Sequence, residues 1–176
     1  KRCLSLVRRY AETGCVDMVQ VGGDFSGSRP LISPDAYRAF IVPEVRKVSQ
    51  FVRANGMVPV NASDGNLWPV LNDFLFSCEV SGYCEIDWSA GMRIERLAEV
   101  CRGRVTLFGN LDCGTVLSFG SEDEVRHHVR RCLDAGKMCG HILCASNAIT
   151  SSVPVRNYMA AVKTYRDYFC LPALRL

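Results

Sequence analysis

The chain has 176 residues, 48% of them hydrophobic and 22% charged, with a formal net charge of +3; this composition is globular, supports one sizeable core and excludes a disordered segment. Its basic residues are scattered apart from the pairs Arg8-Arg9 and Arg130-Arg131, so no basic block argues for nucleic acid as a partner. The longest uncharged stretch, Met138 to Val155, is studded with Ser, Asn, Thr and His and does not read as a membrane span.

In chain order, Cys3, Leu4, Val7, Tyr10 and Ala11 share one helical face, and Gly14 ends that helix. A strand over Val16 to Val21 runs into Gly22-Gly23-Asp24. Ser33-Pro34 then opens a helix that turns Tyr37, Phe40, Ile41, Val45, Val48, Phe51 and Val52 inward, with Pro43 expected to kink or split it. The second strand, Met57 to Ala62, stops at Ser63-Asp64-Gly65-Asn66, and the third, Tyr83 to Asp87, meets Trp88. Ile94, Leu97, Ala98 and Cys101 make the next helical stripe. Val105 to Phe108 forms a fourth strand leading into Gly109-Asn110-Leu111-Asp112. Behind the capping box Ser121-x-x-Glu124, a further stripe carries Val125, Val129, Cys132 and Leu133. The fifth strand, His141 to Cys144, leads to Ser146-Asn147, and Pro154 opens a last helix with Tyr158, Met159, Val162 and Tyr165 inward.

Strands alternating with helices predict an α/β fold with a parallel sheet, residues 1–176 forming one domain. Five strands suit a doubly wound sheet. A (β/α)8 barrel needs eight strands and roughly 250 residues, so on that reading the chain is part of something longer. Either way the site lies beyond the carboxyl ends of the strands. There every strand delivers Asp or Asn: Asp24, Asp64 with Asn66, Asp87, Asn110 with Asp112, and Asn147. These are also common turn formers and helix caps. After Asp24, Asp112 and Asn147, however, Ser33, Ser121 and Ser152 with Pro154 are placed to start the helices. For Asp64 and Asp87 the capping alternative stands, at turns near Leu67 and Ser89 respectively.

The ten cysteines contain no Cys-x-x-Cys pair, and His127, His128 and His141 lie outside metal-ligand spacing. The expectation is free thiols among apolar neighbours in a reducing, cytoplasmic compartment. No Gly-x-Gly-x-x-Gly or Walker loop is present.

Taken jointly, Gly23-Asp24-Phe25-Ser26-Gly27-Ser28 with Pro30-Leu31-Ile32-Ser33-Pro34, then Ser63-Asp64-Gly65-Asn66, Ala90-Gly91-Met92, Val105 to Asp112 with its Gly-Asn-Leu-Asp, and Ile142 to Asn147 resemble the C-terminal half of the uroporphyrinogen decarboxylase superfamily. The resemblance implies the later five βα units of a (β/α)8 barrel, without the first three strands. It also implies one of two chemistries: removal of carboxylates from the acetate arms of a tetrapyrrole without a cofactor, or corrinoid-linked methyl transfer to a thiol activated on zinc. In the methyltransferases a strand ends in His-x-Cys and a second Cys follows the last strand; the corresponding positions here are Ala62, Asp64 and Asn147. Oxygen donors alone are poor zinc ligands beside sulfur and nitrogen, so no metal and no cofactor are expected. The decarboxylases carry a histidine where this chain has Asn147, and Asp24 aligns with a substrate-contacting serine.

The resulting expectation is a lyase acting on a small-molecule polycarboxylate, a tetrapyrrole or a relative of one. Asp24 and Asp64 would stabilise positive charge on the substrate. Arg29, Asn66, Asp87, Asn110, Asp112 and Asn147 would contact it, although Arg29 also reads as a solvated loop residue. A methylcobalamin-dependent methyltransferase and a barrel that only binds a ligand are the alternatives. Open sheet edges make a second copy, or another chain segment, the expected neighbour.

Overall fold

The computed structural model describes residues 2–172. Helix α1 (Arg2–Thr13) ends where Gly14 takes φ +63°, and strand β1 (Met18–Gln20) follows. A loop holding an antiparallel bridge between Ser26 and Pro30 leads to α2 (Pro34–Ala36), capped by the Ser33 hydroxyl, which accepts from the Ala36 N–H at 3.1 Å. The helix does not split at Pro43. It widens into a π turn over Tyr37–Ile41, in which the Val42 N–H reaches the Tyr37 carbonyl, and continues as α3 (Val42–Ala54) with Pro43 in its first turn, where the missing N–H costs nothing. The wider turn also shifts the buried face. Tyr37, Val42, Val45, Ser49 and Val52 point inward, whereas Phe40, expected inside, is 74% exposed.

Strand β2 (Val58–Ala62) precedes a 3-10 turn (Trp68–Val70) and a second π turn (Asp73–Ser77). Strand β3 is shorter than its apolar run, Gly82–Cys84, because Glu85 takes φ +63° and turns the chain out of the ladder. Then come α4 (Ile94–Cys101), β4 (Thr106–Phe108), α5 (Val116–Phe119) and α6 (Glu122–Gly136), the last with both halves of the predicted capping box in place. Strand β5 (His141–Ile142) and α7 (Val155–Tyr168) complete the order. Helix α7 buries Asn157, Ala160, Ala161 and Thr164 rather than the expected tyrosine face; Tyr158 and Tyr165 lie outward. Small residues let α7 approach α6 closely, and Asn157 donates to the carbonyls of Leu117 and Gly120.

All neighbouring strands pair in parallel, in the order β1-β2-β3-β4-β5. A doubly wound sheet reverses its order at a switch point, whereas a barrel adds each strand beside the last. The unbroken order therefore makes these five βα units a partial TIM barrel. The largest core, including Phe74, Tyr83, Ile86, Leu97 and Leu107, fills the space between sheet and helices, and a second, around Leu117, Val125, Val129 and Ala161, joins α5, α6 and α7. Of the ten cysteines, all free, four are buried, three half-buried and three exposed, so the expectation of mainly buried thiols holds for under half of them. No helix among the described residues is long and apolar enough to cross a membrane.

Candidate active site at the carboxyl ends of the strands

The loops leaving β1, β2, β3 and β5 meet at one mouth, tied by hydrogen bonds between residues far apart in sequence. The wholly buried Ser63 gives its hydroxyl proton to Asp24 Oδ1 at 2.8 Å and accepts from the Phe25 N–H at 3.4 Å, joining the loops after β1 and β2. The Asn66 N–H donates to the Gly27 carbonyl at 2.7 Å, and the Asn66 carbonyl accepts from the Ser26 hydroxyl at 3.2 Å. Between them Gly65 sits at φ +73° so close to Gly27 that a Cβ would stand 2.3 Å from its carbonyl oxygen. Only glycine permits both the left-handed backbone and that approach.

These contacts decide what Asp64 does. Asn66, not Asp64, caps the following turn, its Oδ1 accepting from the Trp68 N–H at 3.1 Å. Asp87 does cap its own turn: Oδ1 accepts from Ser89 N–H, Ser89 Oγ and Ala90 N–H, and Oδ2 accepts from Gly65 N–H at 3.2 Å. Asp64 is left to face the mouth, where Asn147 Nδ2 donates to its Oδ2 at 2.6 Å. Burial, the charge of Asp24 and then that of Asp87 push the Asp64 carboxyl above the usual carboxylate range; a hydrogen bond to Asp24 adds to the rise and the Asn147 amide opposes it. Asp64 thus stands beside Asp24 as a carboxyl raised by its surroundings. Such a pair both donates a proton and tolerates positive charge nearby.

Two residues escaped the sequence reading. Ser63 stands in the sequence only as the first residue of the Ser63-Asp64-Gly65-Asn66 stretch, with no role of its own, and its burial reveals a hydroxyl committed to Asp24. Glu85 was placed within a strand, yet its left-handed backbone brings it to the same rim, where burial and then the charges of Asp64 and Asp24 push its carboxyl upward. The signal available was an acidic residue in the interior of the Tyr83 to Asp87 run, between apolar Cys84 and Ile86.

Asn110 and Asp112, expected to meet substrate, are engaged in the fold. Asn110, 1% exposed, donates to the carbonyls of Ile86 and Met92 at 2.9 and 3.0 Å. Asp112, 4% exposed, accepts from Gly114 N–H and Thr115 N–H through Oδ1, capping the turn before α5. His128 Nε2 lies within hydrogen-bond reach of both Asn110 O and Asp112 N, pinning this loop to α6. Arg29 is exposed in the loop after β1.

The zinc of the methyltransferase branch does not fit this rim. Asn147 turns its N–H2 toward Asp64 while its Oδ1 accepts from Ala148 N–H at 2.6 Å, so the amide offers a donor where a metal needs a lone pair. Among the described residues no group of three or more His, Cys, Asp or Glu is placed to hold a metal ion.

No curated protein matches the chain. Among solved structures it is similar to a methyltransferase from Methanosarcina mazei, with a TM-score of 0.76 and 22% identity over 94% of this chain. The chain spans 47% of that protein's length. At this identity the likeness concerns the fold. The sequence profile of the family described as "Uroporphyrinogen decarboxylase (URO-D)" matches residues 1–168. With that match covering the β strands and the whole rim they build, the chain belongs to the uroporphyrinogen decarboxylase family.

Proposed function

We propose that the protein is a uroporphyrinogen-decarboxylase-like carboxy-lyase acting, without a cofactor, on a tetrapyrrole or a related polycarboxylate. The reading is carried by Asp64, a half-buried carboxyl that caps nothing, faces the mouth, and is biased toward its protonated form beside Asp24. In the proposed step the substrate ring takes a proton and becomes cationic. The bond between an acetate arm's methylene and its carboxylate then breaks, its electron pair neutralising the ring as CO2 departs. A proton added to the former methylene, with loss of the proton first taken up by the ring, leaves a methyl group on the restored neutral ring, one proton being consumed for each CO2 released. Asp64 is suited to supply or hold the proton, and the neighbouring Asp24 to stabilise the cation.

The alternative is a corrinoid-dependent methyltransferase, and the similarity in fold to a methyltransferase from Methanosarcina mazei keeps methyl transfer beside the lyase reading. One experiment separates the two. The protein, at the full length in which it is made, is incubated with uroporphyrinogen under reducing conditions and the products are analysed for stepwise loss of carboxylates. The lyase reading expects that loss, and expects it to disappear in Asp64→Asn. No loss, together with methyl transfer to a thiol from methylcobalamin, rejects the lyase in favour of the methyltransferase. Inactivity in both assays rejects both and leaves a barrel that binds its ligand without turnover.

A further inference from the structure

We propose that Asn147 is the positioning residue for Asp64: a side chain from the loop after β5 that crosses the mouth and fixes the direction and hydrogen bonding of the carboxyl on the loop after β2. The inference rests on the reading of Asp64 as the working carboxyl of a lyase, and it departs from the expectation that Asn147 meets substrate directly.

The geometry is specific. The two residues are 83 positions apart in sequence and 2.6 Å apart at their polar atoms. Both ends of the contact are fixed. On the Asn147 side, Oδ1 accepts from Ala148 N–H at 2.6 Å, which leaves the two N–H donors as the only end of the amide that can face Asp64. The next residue back, Ser146, is buried; its N–H donates to the Leu111 carbonyl at 2.8 Å, and its Oγ accepts from Cys113 N–H at 3.4 Å. On the Asp64 side, Ser63 is committed to Asp24, Gly65 N–H to Asp87, and Asn66 N–H to Gly27. Both backbones are therefore held on rigid neighbours, and the only freedom left in the contact is in two short side chains. This is the arrangement by which an oriented amide selects one oxygen of a carboxyl, here Oδ2, and leaves the other for a reacting partner.

The surroundings explain why an amide serves here. Asp64 is faced by Asp24 from the loop after β1, by Glu85 and Asp87 from the residues after β3, and by the phenol of Tyr83 from β3. Among these groups Asn147 brings a donor, which favours the ionised form of Asp64 against the pull of burial and its acidic neighbours. A carboxylate at 147 would reverse that influence.

The test reads Asp64 directly, without substrate. Carbon-13 carboxyl shifts are followed against pH in the full chain, with Asp64→Asn identifying the resonance. The expected result is a titration midpoint that rises in Asn147→Ala and rises further in Asn147→Asp, with Asn147→Ser, which keeps a hydroxyl donor, lying between wild type and Asn147→Ala. Backbone amide spectra are expected to change only around residues 63–66 and 145–149, because Asn147 is exposed. A midpoint unchanged in Asn147→Ala overturns the proposal, as does one that falls. The titration and the uroporphyrinogen assay fail independently: an unmoved midpoint refutes the role of Asn147 and leaves the lyase standing, whereas absent decarboxylation refutes the lyase and leaves the titration intact.

Discussion

Gly65→Ala is the substitution that best tests whether the rim is a rigid frame. The three atoms nearest the added Cβ are all backbone: Gly27 O at 2.3 Å, Gly27 N at 2.7 Å and Gly27 Cα at 2.8 Å. Alanine at φ +73° costs about 1–2 kcal/mol for the left-handed conformation. Forcing the Gly27 loop aside adds about 1–3 kcal/mol of overpacking, and breaking the 2.7 Å bond from Asn66 N–H to the Gly27 carbonyl costs about 1 kcal/mol. The total is roughly 3–6 kcal/mol, which at a urea slope of about 1–3 kcal/mol per molar lowers the denaturation midpoint by on the order of 2 M. Two glycines provide controls. Gly91 sits at φ +82° with nothing within 4 Å of its Cβ position, so alanine there costs only the conformational part, about 1–2 kcal/mol. Gly23 has neither a positive φ nor a close neighbour, so alanine is expected within about 0.5 kcal/mol of wild type. If Gly65→Ala loses no more than Gly91→Ala, the Gly27 loop yields freely and the argument for a rigid rim fails.

Asn110→Ala removes the donors that satisfy the buried carbonyls of Ile86 and Met92 and is expected to cost about 2–4 kcal/mol in the same urea assay; a loss under 1 kcal/mol would show that water reaches both. His128 is held below its ordinary pKa chiefly by burial, so the unfolded chain binds the extra proton more readily. Its contribution to stability is present above about pH 6.5 and is lost as pH falls below that value, with the partly buried His141 acting in the same direction. Stability measured between pH 7.5 and 5 therefore falls, and the slope is expected to flatten in His128→Gln; an unchanged slope assigns the pH response elsewhere. Asp64 has the opposite sign, since a carboxyl raised by burial stabilises the fold below the unfolded carboxylate pKa and loses that contribution as pH rises through the folded value. Asp64→Asn is accordingly expected to be at least as stable as wild type at pH 7 while abolishing decarboxylation, and a marked loss of stability at pH 7 would instead assign Asp64 to the fold.

How much of this was legible in the residues depended on whether the signal was local. Ser33, Gly14 and the Ser121–Glu124 box act within one turn, and each does in the structure what its chemistry dictates. The apolar runs mark all five strands but overshoot them: Val16 to Val21 pairs only over Met18–Gln20, His141 to Cys144 only over His141–Ile142, and at β3 the run continues through Ile86 while the backbone turns away at Glu85. Helix faces failed where tertiary packing competes with periodicity. The π turn before Pro43 rotated Phe40 into solvent, and α7 chose Ala160 and Ala161 over its tyrosines because a close approach to α6 needs small side chains. Within the site, spacing brought Asp24, Asp64, Asp87 and Asn147 to one end of the sheet, since every parallel strand exits there. It had no means of separating the amide of Asn110, consumed by two carbonyls 24 and 18 residues upstream, from that of Asn147, which reaches across the mouth.

That separation shows where chemistry is concentrated on this rim. Asp87 and Asp112 accept from backbone N–H donors and cap turns. Asp64 is raised by burial and then by Asp24 and Asp87, and Glu85 by burial and then by Asp64 and Asp24, and folding alone gains nothing from placing them there. Locally unfavourable ionisable groups persist where a reaction uses them, and structural ion pairs that perturb carboxyl groups do so by adding cations. Here the neighbours of Asp64 that shift it include no lysine or arginine: they are two further carboxylates and one amide. A site of that composition repels an anion at its floor and welcomes a group that becomes cationic during the reaction. On the proposed lyase reading, the acid arms of a polycarboxylate are then held by groups other than these, and Arg29, exposed in the loop after β1, is the nearest cation in sequence to Asp24. Comparing Arg29→Gln with Asp64→Asn separates the tasks: the first is expected to raise KM with kcat little changed, the second to lower kcat, and the reverse assignment would refute this division of the mouth.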